Sequence, residues 1–196
     1  MHLYTQSQSP NGQRVAVFMK EKGVEIPLTE IDLRGAENLS DEHKNRNPFG
    51  RVPVLQMDDG SFLAESQAIC LLLEGLHPEP NMFGDSAEEK AKIEMWNRRV
   101  ELNVLMPVAQ GFRNLTGFFK DRETVVKEWG EVAAADAKRA VEIFDAHLAS
   151  NQFILGDRYC ISDMTLAITL GFAKNVGQDL LTSENIARWH AEVTSR

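Results

Sequence analysis

The stretch RVPVLQMDDGSFLAESQAI, from Arg51 to Ile69, decides the fold. Its apolar beginning, Arg51 to Met57, predicts a strand. The turn signal Asp58-Asp59-Gly60 then leads into a second strand from Ser61 to Ala64. A helix follows, with Ser66 as its predicted N-cap and apolar residues at helical spacing behind it. The order strand, turn, strand, helix predicts an antiparallel hairpin covered by a helix.

The residues before this stretch complete a small mixed sheet. His2 to Thr5 predicts a strand, Asn11 to Gly23 a helix and Ile26 to Leu33 a further strand. A strand, helix and strand in this order imply two parallel strands joined by a right-handed crossover. Residues 1–76 are therefore predicted to form one α/β domain with helices packed on a mixed sheet.

The chain changes character after this domain. Residues 77–86 hold two prolines that forbid continuation of the helix, and this segment is predicted to be a linker. Residues 87–196 are predicted to be all-helical, with one long apolar stripe from Trp129 to Leu148. Pro107 is expected to kink or end its helix. The predicted fold class is α/β plus all-α, a βαβ-ββα domain followed by a C-terminal helical bundle.

The last helical half contains one clear helix start, GDRYCISD at Gly156–Asp163. Asp163 is predicted to fold back onto the backbone amide of residue 160, as in a capping box. A capping box favours Ser or Thr at that position, and here it is Cys160. Because a thiol is a poor acceptor, this cap is expected to cost about 1 kcal/mol relative to Ser.

Composition excludes several classes of function. The net charge of −8 argues against broad nucleic-acid binding or an anionic membrane surface. No apolar run approaches the roughly 20 residues that span a bilayer, and the N-terminus carries no secretory signal pattern. Cys70 and Cys160 lie in apolar stretches, which indicates buried thiols in a reducing, cytoplasmic compartment. The histidines show no metal-ligand spacing, so no metal site is predicted.

Two short motifs near strand ends can carry chemistry. Ser9, ahead of Pro10, either caps the first helix or donates a hydrogen bond to an anion at the helix N-terminus, where Asn11 offers a second donor. A cis bond before Pro53 would expose the backbone of Val52 to an extended peptide ligand, whereas a trans bond would simply open an edge strand. Both interpretations stay open for each motif.

A third motif is Glu65-Ser66. The first amides of the helix that begins there form a natural anion site, and Glu65 is placed to hold an ammonium group. This combination suits the α-amino acid end of a ligand. Alternatively, Ser66 is only an N-cap and Glu65 only a charge that the helix dipole favours.

The order of these motifs resembles the glutathione S-transferase superfamily along nearly the whole chain. The resemblance rests on the turn serine after the first strand, on NPFGRVPVL at Asn47–Leu55, on ESQAI at Glu65–Ile69 and on the helix start before Asp163. It implies a thioredoxin-like N-terminal domain. The SPNGQRV stretch and the HPEP linker look most like theta-related bacterial and fungal enzymes, and Ser-Pro-Asn is similar to the Thr-Pro-Asn of the nu class.

The resemblance also implies roles for individual residues. The catalytic residues would be Ser9 and Asn11, which stabilise the glutathione thiolate; whether one of them or a bound water does so stays open. A second-substrate pocket is expected between the first turn and the helical domain. Residues implied in glutathione binding are Asn38, Arg51, Val52, Pro53, Glu65 and Ser66. Residues implied in the pocket wall are Met106, Gln110, Phe112 and Arg113.

The implied function is a cytoplasmic, homodimeric transferase of the detoxification type. Glutathione would be its co-substrate and a small hydrophobic electrophile its second substrate, with no metal, nucleic acid or membrane partner. One alternative keeps the site and reduces disulfides or peroxides with glutathione. Another is a non-catalytic, transferase-like binding protein.

Overall fold

A computed structural model describes residues 1–196 and divides them into two units, Met1–Asn81 and Met82–Arg196. No helix has the length and apolar character that crossing a membrane requires. The strands are β1 (His2–Thr5), β2 (Leu28–Glu30), β3 (Val54–Gln56) and β4 (Phe62–Ala64). The α-helices are α1 (Pro10–Lys22), α2 (Asp41–Arg46), α3 (Ser66–Leu76), α4 (Ala87–Val100), α5 (Met106–Thr116), α6 (Lys127–Leu148), α7 (Ile161–Asn175) and α8 (Glu184–Thr194).

The first unit is built on one mixed sheet with the strand order β2-β1-β3-β4. β1 is parallel to β2, and β3 is antiparallel to both β1 and β4. This topology confirms the predicted βαβ unit and hairpin. β3 is shorter than predicted and begins only at Val54, because Pro53 has no N–H to donate to a ladder.

Helices α1 and α3 pack together through buried polar groups as well as apolar ones. The side chain of Lys22, at the end of α1, is fully buried. Its Nζ lies 2.6 Å from a carboxylate oxygen of Glu74 on α3 and donates to the carbonyl of Pro80 at 2.6 Å. A buried ammonium is tolerated only when paired in this way. The contact joins the ends of both helices to the segment that follows α3.

The second unit is all-helical, as predicted, and its first long helix is interrupted. α4 ends at Val100, a π-helical turn spans Glu101–Leu105, and α5 begins at Met106. Pro107 is the second residue of α5, and because the backbone stays helical from Val100 through Met106, its missing N–H removes one intrahelical bond. The predicted interruption therefore takes the form of a π-turn just ahead of the proline.

The predicted apolar stripe of α6 is right at Ala140, Phe144 and Leu148, which are buried, and wrong at three other positions. Trp129, Val132 and Ile143 are 51%, 49% and 68% exposed. A β-carbon on Gly130 would lie 2.9 Å from the Cβ of Asn114, so α5 approaches α6 closely at this point. Such close packing favours small side chains, and hydrophobicity alone misplaced the buried face. That face consists of Gly130, Ala133, Ala137, Ala140, Val141, Phe144 and Leu148.

A buried carboxylate organises the start of α7. Oδ1 of Asp163 accepts hydrogen bonds from the backbone N–H of Ile154 at 2.8 Å and from Nε1–H of Trp189 at 2.9 Å. Its Oδ2 accepts from the backbone N–H of Cys160 at 3.1 Å, as predicted for the helix start. Burial raises the pKa of this carboxyl, and the donated hydrogen bonds oppose that effect. Asp163 thus ties α7 to α8 and to the loop before it.

Replacing Asp163 by Asn should lower the free energy of unfolding by about 3 kcal/mol. The amide nitrogen of Asn would face a backbone N–H or an indole N–H, and two donors cannot pair. Urea unfolding of the full chain measures the loss. The matched control is Asp157→Asn at an exposed position, expected to change stability by no more than about 0.5 kcal/mol. Equal losses in the two variants would contradict this account.

Candidate functional site

Three predicted site segments meet at one end of the sheet. Tyr4 of β1 pairs with Val54 of β3, and Val54 also pairs with Ala64 of β4. Because β3 runs antiparallel to both neighbours, the chain leaves β1 and β4 at the same end at which it enters β3. The turn after β1, the loop before β3 and the first residue after β4 therefore adjoin one another.

Ser9 is the N-cap of α1. Its Oγ accepts the backbone N–H of Gly12 at 3.1 Å, and its hydroxyl donates to the carbonyl of Gln6 at 2.8 Å. The predicted capping role is therefore confirmed. A hydroxyl hydrogen rotates freely about its C–O bond, so the proton now given to Gln6 can be redirected to an anion.

Gly12 makes this turn possible, and the sequence analysis did not identify it. A β-carbon at this position would lie 2.2 Å from the carbonyl oxygen of Gln6 and 2.9 Å from Oγ of Ser9. No side chain fits there without moving the backbone. The signal was present in the Pro-Asn-Gly sequence of the turn, but only the folded chain reveals the close approach to residue 6.

Asn11 and Ser66 are brought into direct contact. Oγ of Ser66 donates to Oδ1 of Asn11 at 3.2 Å and accepts from Nη1 of Arg14 at 3.3 Å. Arg14 and Ser66 are both buried. The prediction that Ser66 is an N-cap is wrong, because it is the first residue of α3 and Glu65 holds the cap position. Arg14, which the sequence analysis missed, links α1 to the N-terminus of α3.

Glu65 has an unusual backbone conformation, with φ of 69° and ψ of 114°. A non-glycine residue with positive φ is disfavoured, and such strain is concentrated at functional sites. The side chain is exposed and has no polar partner within the chain. The strained residue thus presents a free carboxylate beside the first amides of α3.

The loop before β3 presents its backbone in the same region. The Val52–Pro53 peptide bond is cis. Neither the N–H nor the C=O of Val52 forms a hydrogen bond within the chain. The guanidinium of Arg51 is exposed and has no partner within the chain, while the amide of Asn38 donates to the carbonyl of Gly50 at 2.7 Å. Asn38 therefore supports the loop through its side chain.

The four residues proposed for a second pocket lie on α5 but do not form one cluster. Met106, Gln110 and Arg113 follow helical spacing and share one face. Phe112 points away from them and packs against Phe172 in an edge-to-face contact, with ring centroids 5.5 Å apart. Met106 is exposed, whereas Arg113 forms an ion pair with Glu123.

Neither thiol of the chain is suited to act as a nucleophile. Cys70 and Cys160 are fully buried. Burial raises the pKa of each thiol to about 12, so both stay protonated at neutral pH. Neither lies in the turn that caps α1. Any reactive thiolate at the sheet end must come from a ligand.

Residues 3–81 match the family described as the N-terminal domain of glutathione S-transferases. Glutathione S-transferase 2 of Saccharomyces cerevisiae is 30% identical over 201 residues, which cover 100% of this chain and 86% of that protein. The solved structure of a glutathione S-transferase domain-containing protein from Marinobacter aquaeolei is 30% identical with a TM-score of 0.95, covering 100% of this chain and 98% of that one.

One relative carries a different kind of name. Elongation factor 1-gamma 2 of Oryza sativa is 29% identical over 174 residues, which cover 88% of this chain and 40% of that protein. A similar sequence thus also occurs within a longer protein that is not named as a transferase.

Two glycine substitutions should change stability in opposite directions. Gly12→Ala should lower the free energy of unfolding by about 2 kcal/mol or more, because the new methyl group overlaps the carbonyl of Gln6. Gly171→Ala in α7 meets no atom within 4 Å and should raise it by about 0.5–1 kcal/mol through helix propensity. Urea unfolding compares them. A Gly12→Ala variant as stable as the unmodified protein would show that the turn does not need glycine.

Proposed function

Because this chain belongs to the glutathione S-transferase superfamily and is a glutathione transferase, we propose that it binds glutathione at the sheet end and stabilises its thiolate. The thiolate then attacks a small hydrophobic electrophile. The observation that carries the proposal is the convergence of a capping hydroxyl, an unpaired backbone segment and a helix N-terminus at the same end of β1, β3 and β4. The chain's own thiols are buried and protonated, so the ligand supplies the nucleophile.

Each part of glutathione has a matching group. The α-carboxylate of the γ-glutamyl end suits the first amides of α3, and its ammonium suits the free carboxylate of Glu65. The cysteinyl unit suits the N–H and C=O of Val52, which pair like an added strand next to Pro53. The glycyl carboxylate suits the guanidinium of Arg51. Ser66 adds its own backbone amide to the γ-glutamyl site.

Ser9 activates the thiol by donating a hydrogen bond from its hydroxyl group to the thiolate, and the hydroxyl keeps its proton. The proton now bonded to Gln6 rotates toward sulfur, while Oγ keeps the N–H of Gly12. Lowering a thiol pKa from 8.5 to about 7 takes roughly 2 kcal/mol. One hydrogen bond to a charged group and the N-terminus of α1 together supply that amount. The thiol proton leaves to solvent.

Asn11 is the second donor in this proposal. Because its Oδ1 accepts from Ser66, its Nδ2 is free to donate to the same sulfur. The Ser9-Pro10-Asn11 turn supports a place for the chain in the theta-like bacterial and fungal branch, with a first turn like that of the nu class. A water-activated thiolate is the competing arrangement within that branch.

The electrophile is assigned to the face of α5 that carries Met106, Gln110 and Arg113. Met106 offers exposed apolar surface, and the other two offer polar groups at the next turns. Phe112 would contribute to the pocket wall from its position against Phe172. The combination of exposed apolar and polar groups favours a hydrophobic substrate with a polar substituent.

A specific observation favours each of two other functions. A glutathione-dependent disulfide or peroxide reductase would use the same site, and its thiolate would likewise come from glutathione. A non-catalytic binding protein is favoured by the similarity to an elongation factor 1-gamma. The unpaired backbone of Val52 and the strained Glu65 favour catalysis over a scaffold, which needs neither feature.

Replacing Ser9 by Ala should raise the pKa of bound glutathione by about 1–1.5 units and lower kcat/KM about tenfold. The ultraviolet difference spectrum of bound glutathione at neutral pH measures the thiolate directly. The control is Ser7→Ala in the same turn, whose hydroxyl bonds to Glu30 and should leave the band unchanged. A thiolate band that survives Ser9→Ala would assign activation to Asn11 or a water, and no glutathione binding would refute the proposed function.

We also propose that the chain forms a homodimer through α3 and α4. Each helix exposes large apolar side chains, Leu71 on α3 and Met95 on α4. Leu71→Glu should convert the dimer to a monomer, because a buried carboxylate without a partner opposes association. Light scattering after size-exclusion chromatography measures the mass. Ile143→Glu, at a still more exposed apolar position of α6, should leave the dimer intact.

A further inference from the structure

The two peptide carbonyls that precede Val52 both accept hydrogen bonds from side chains that lie earlier in the chain. The carbonyl of Gly50 accepts from the amide of Asn38 at 2.7 Å. The carbonyl of Arg51 accepts from Nε2 of His43 at 3.0 Å and from Nδ2 of Asn47 at 3.1 Å. The loop before the cis peptide bond is therefore anchored by donors from the preceding helical segment, and not by the sheet.

The side chain of His43 makes no hydrogen bond other than the one to the carbonyl of Arg51. Its side chain lies on α2 and the residue is 0% exposed. A carbonyl oxygen only accepts, so Nε2 must carry a proton to make this bond. Nδ1 is buried without a partner. An apolar side chain would fill this space without a buried unpaired nitrogen, so the imidazole contributes through its one bond to Arg51.

Because the peptide between Arg51 and Val52 is planar, the contact to the carbonyl of Arg51 also sets the direction of the N–H of Val52. The bond between Arg51 and Val52 is trans, since the only cis bonds precede Pro53 and Pro80. In a trans peptide the C=O of one residue and the N–H of the next point in opposite directions within one rigid plane. Drawing the carbonyl of Arg51 toward α2 therefore aims the N–H of Val52 away from α2, where it has no partner within the chain.

We propose that His43 is a positioning residue for glutathione: it holds the Arg51–Val52 peptide so that the N–H of Val52 faces the cysteinyl carbonyl of the ligand. The inference rests on the proposed function. His43 does not touch the ligand. It acts on binding alone, because the bond from Val52 is made equally in the ground state and in the transition state.

Three variants test this role. His43→Phe keeps a ring and removes the donor, whereas His43→Gln keeps an N–H donor at similar reach. His147→Phe is the matched control in the second unit, because His147 also bonds through Nε2 to a backbone carbonyl, that of Ile154, at 2.9 Å. Calorimetry gives the dissociation constant of glutathione, and steady-state kinetics give KM and kcat separately.

We expect His43→Phe to raise the dissociation constant and the KM for glutathione about five- to tenfold with kcat unchanged. His43→Gln should restore most of the affinity, and His147→Phe should bind glutathione like the unmodified protein. In NMR spectra, added glutathione should shift the amide resonance of Val52 strongly in the unmodified protein and His43→Gln, and weakly in His43→Phe.

Other outcomes would overturn the inference separately from the proposed function. Unmodified protein that binds no glutathione would refute the proposed function and the inference with it. The inference alone would be refuted if His43→Phe bound glutathione with normal affinity. It would also be refuted if His43→Gln or His147→Phe lost as much affinity as His43→Phe. If His43→Phe does not fold, nitrogen NMR of the unmodified protein still decides, since a proton on Nδ1 in place of Nε2 would exclude the bond to Arg51.

Discussion

The register of β3 against its two neighbours is the constraint on which the candidate site depends. Tyr4, Val54 and Ala64 lie side by side in the sheet. The residues that follow β1, precede β3 and follow β4 therefore all lie at the same end of the sheet. A shift of one residue would turn each side chain of β3 to the opposite face. It would also move the cis peptide bond away from Ser9 and Glu65. Burial of Val54 therefore also sets the position of the site.

At this end of the sheet the loops are held by buried polar side chains. Arg14 bonds to Ser66 across two helices, and His43 bonds to the carbonyl of Arg51. The second unit uses the same device, where Asp163 holds the start of α7. A buried polar group that loses its partner is costly, and this makes each such contact directional and rigid. The loops at this end of the sheet are therefore fixed by side-chain hydrogen bonds.

The same physics separates the chain's own thiols from the thiol that it is proposed to activate. Burial in an apolar environment disfavours the charged form and raises the pKa of Cys70 and Cys160 to about 12. A hydroxyl donor at a helix N-terminus, as at Ser9, favours the charged form. A turn without cysteine can therefore still support thiol chemistry, provided that the thiol arrives with the ligand.

The sequence by itself determined the order of strands and helices and the antiparallel hairpin, because hydrophobic period and turn residues are local signals. A shared site for Ser9, Val52 and Glu65 was implied only by the resemblance of their motif order to a family. Only the tertiary structure decided that Gly12 must be glycine and that His43 reaches the loop before β3. These features depend on contacts with backbone carbonyls, and no side-chain pattern records where a carbonyl will lie. Three apolar residues of α6 that proved to be exposed were misjudged for a related reason: the face of a helix that is buried depends on how closely its neighbour approaches, and that distance exists only in the folded chain.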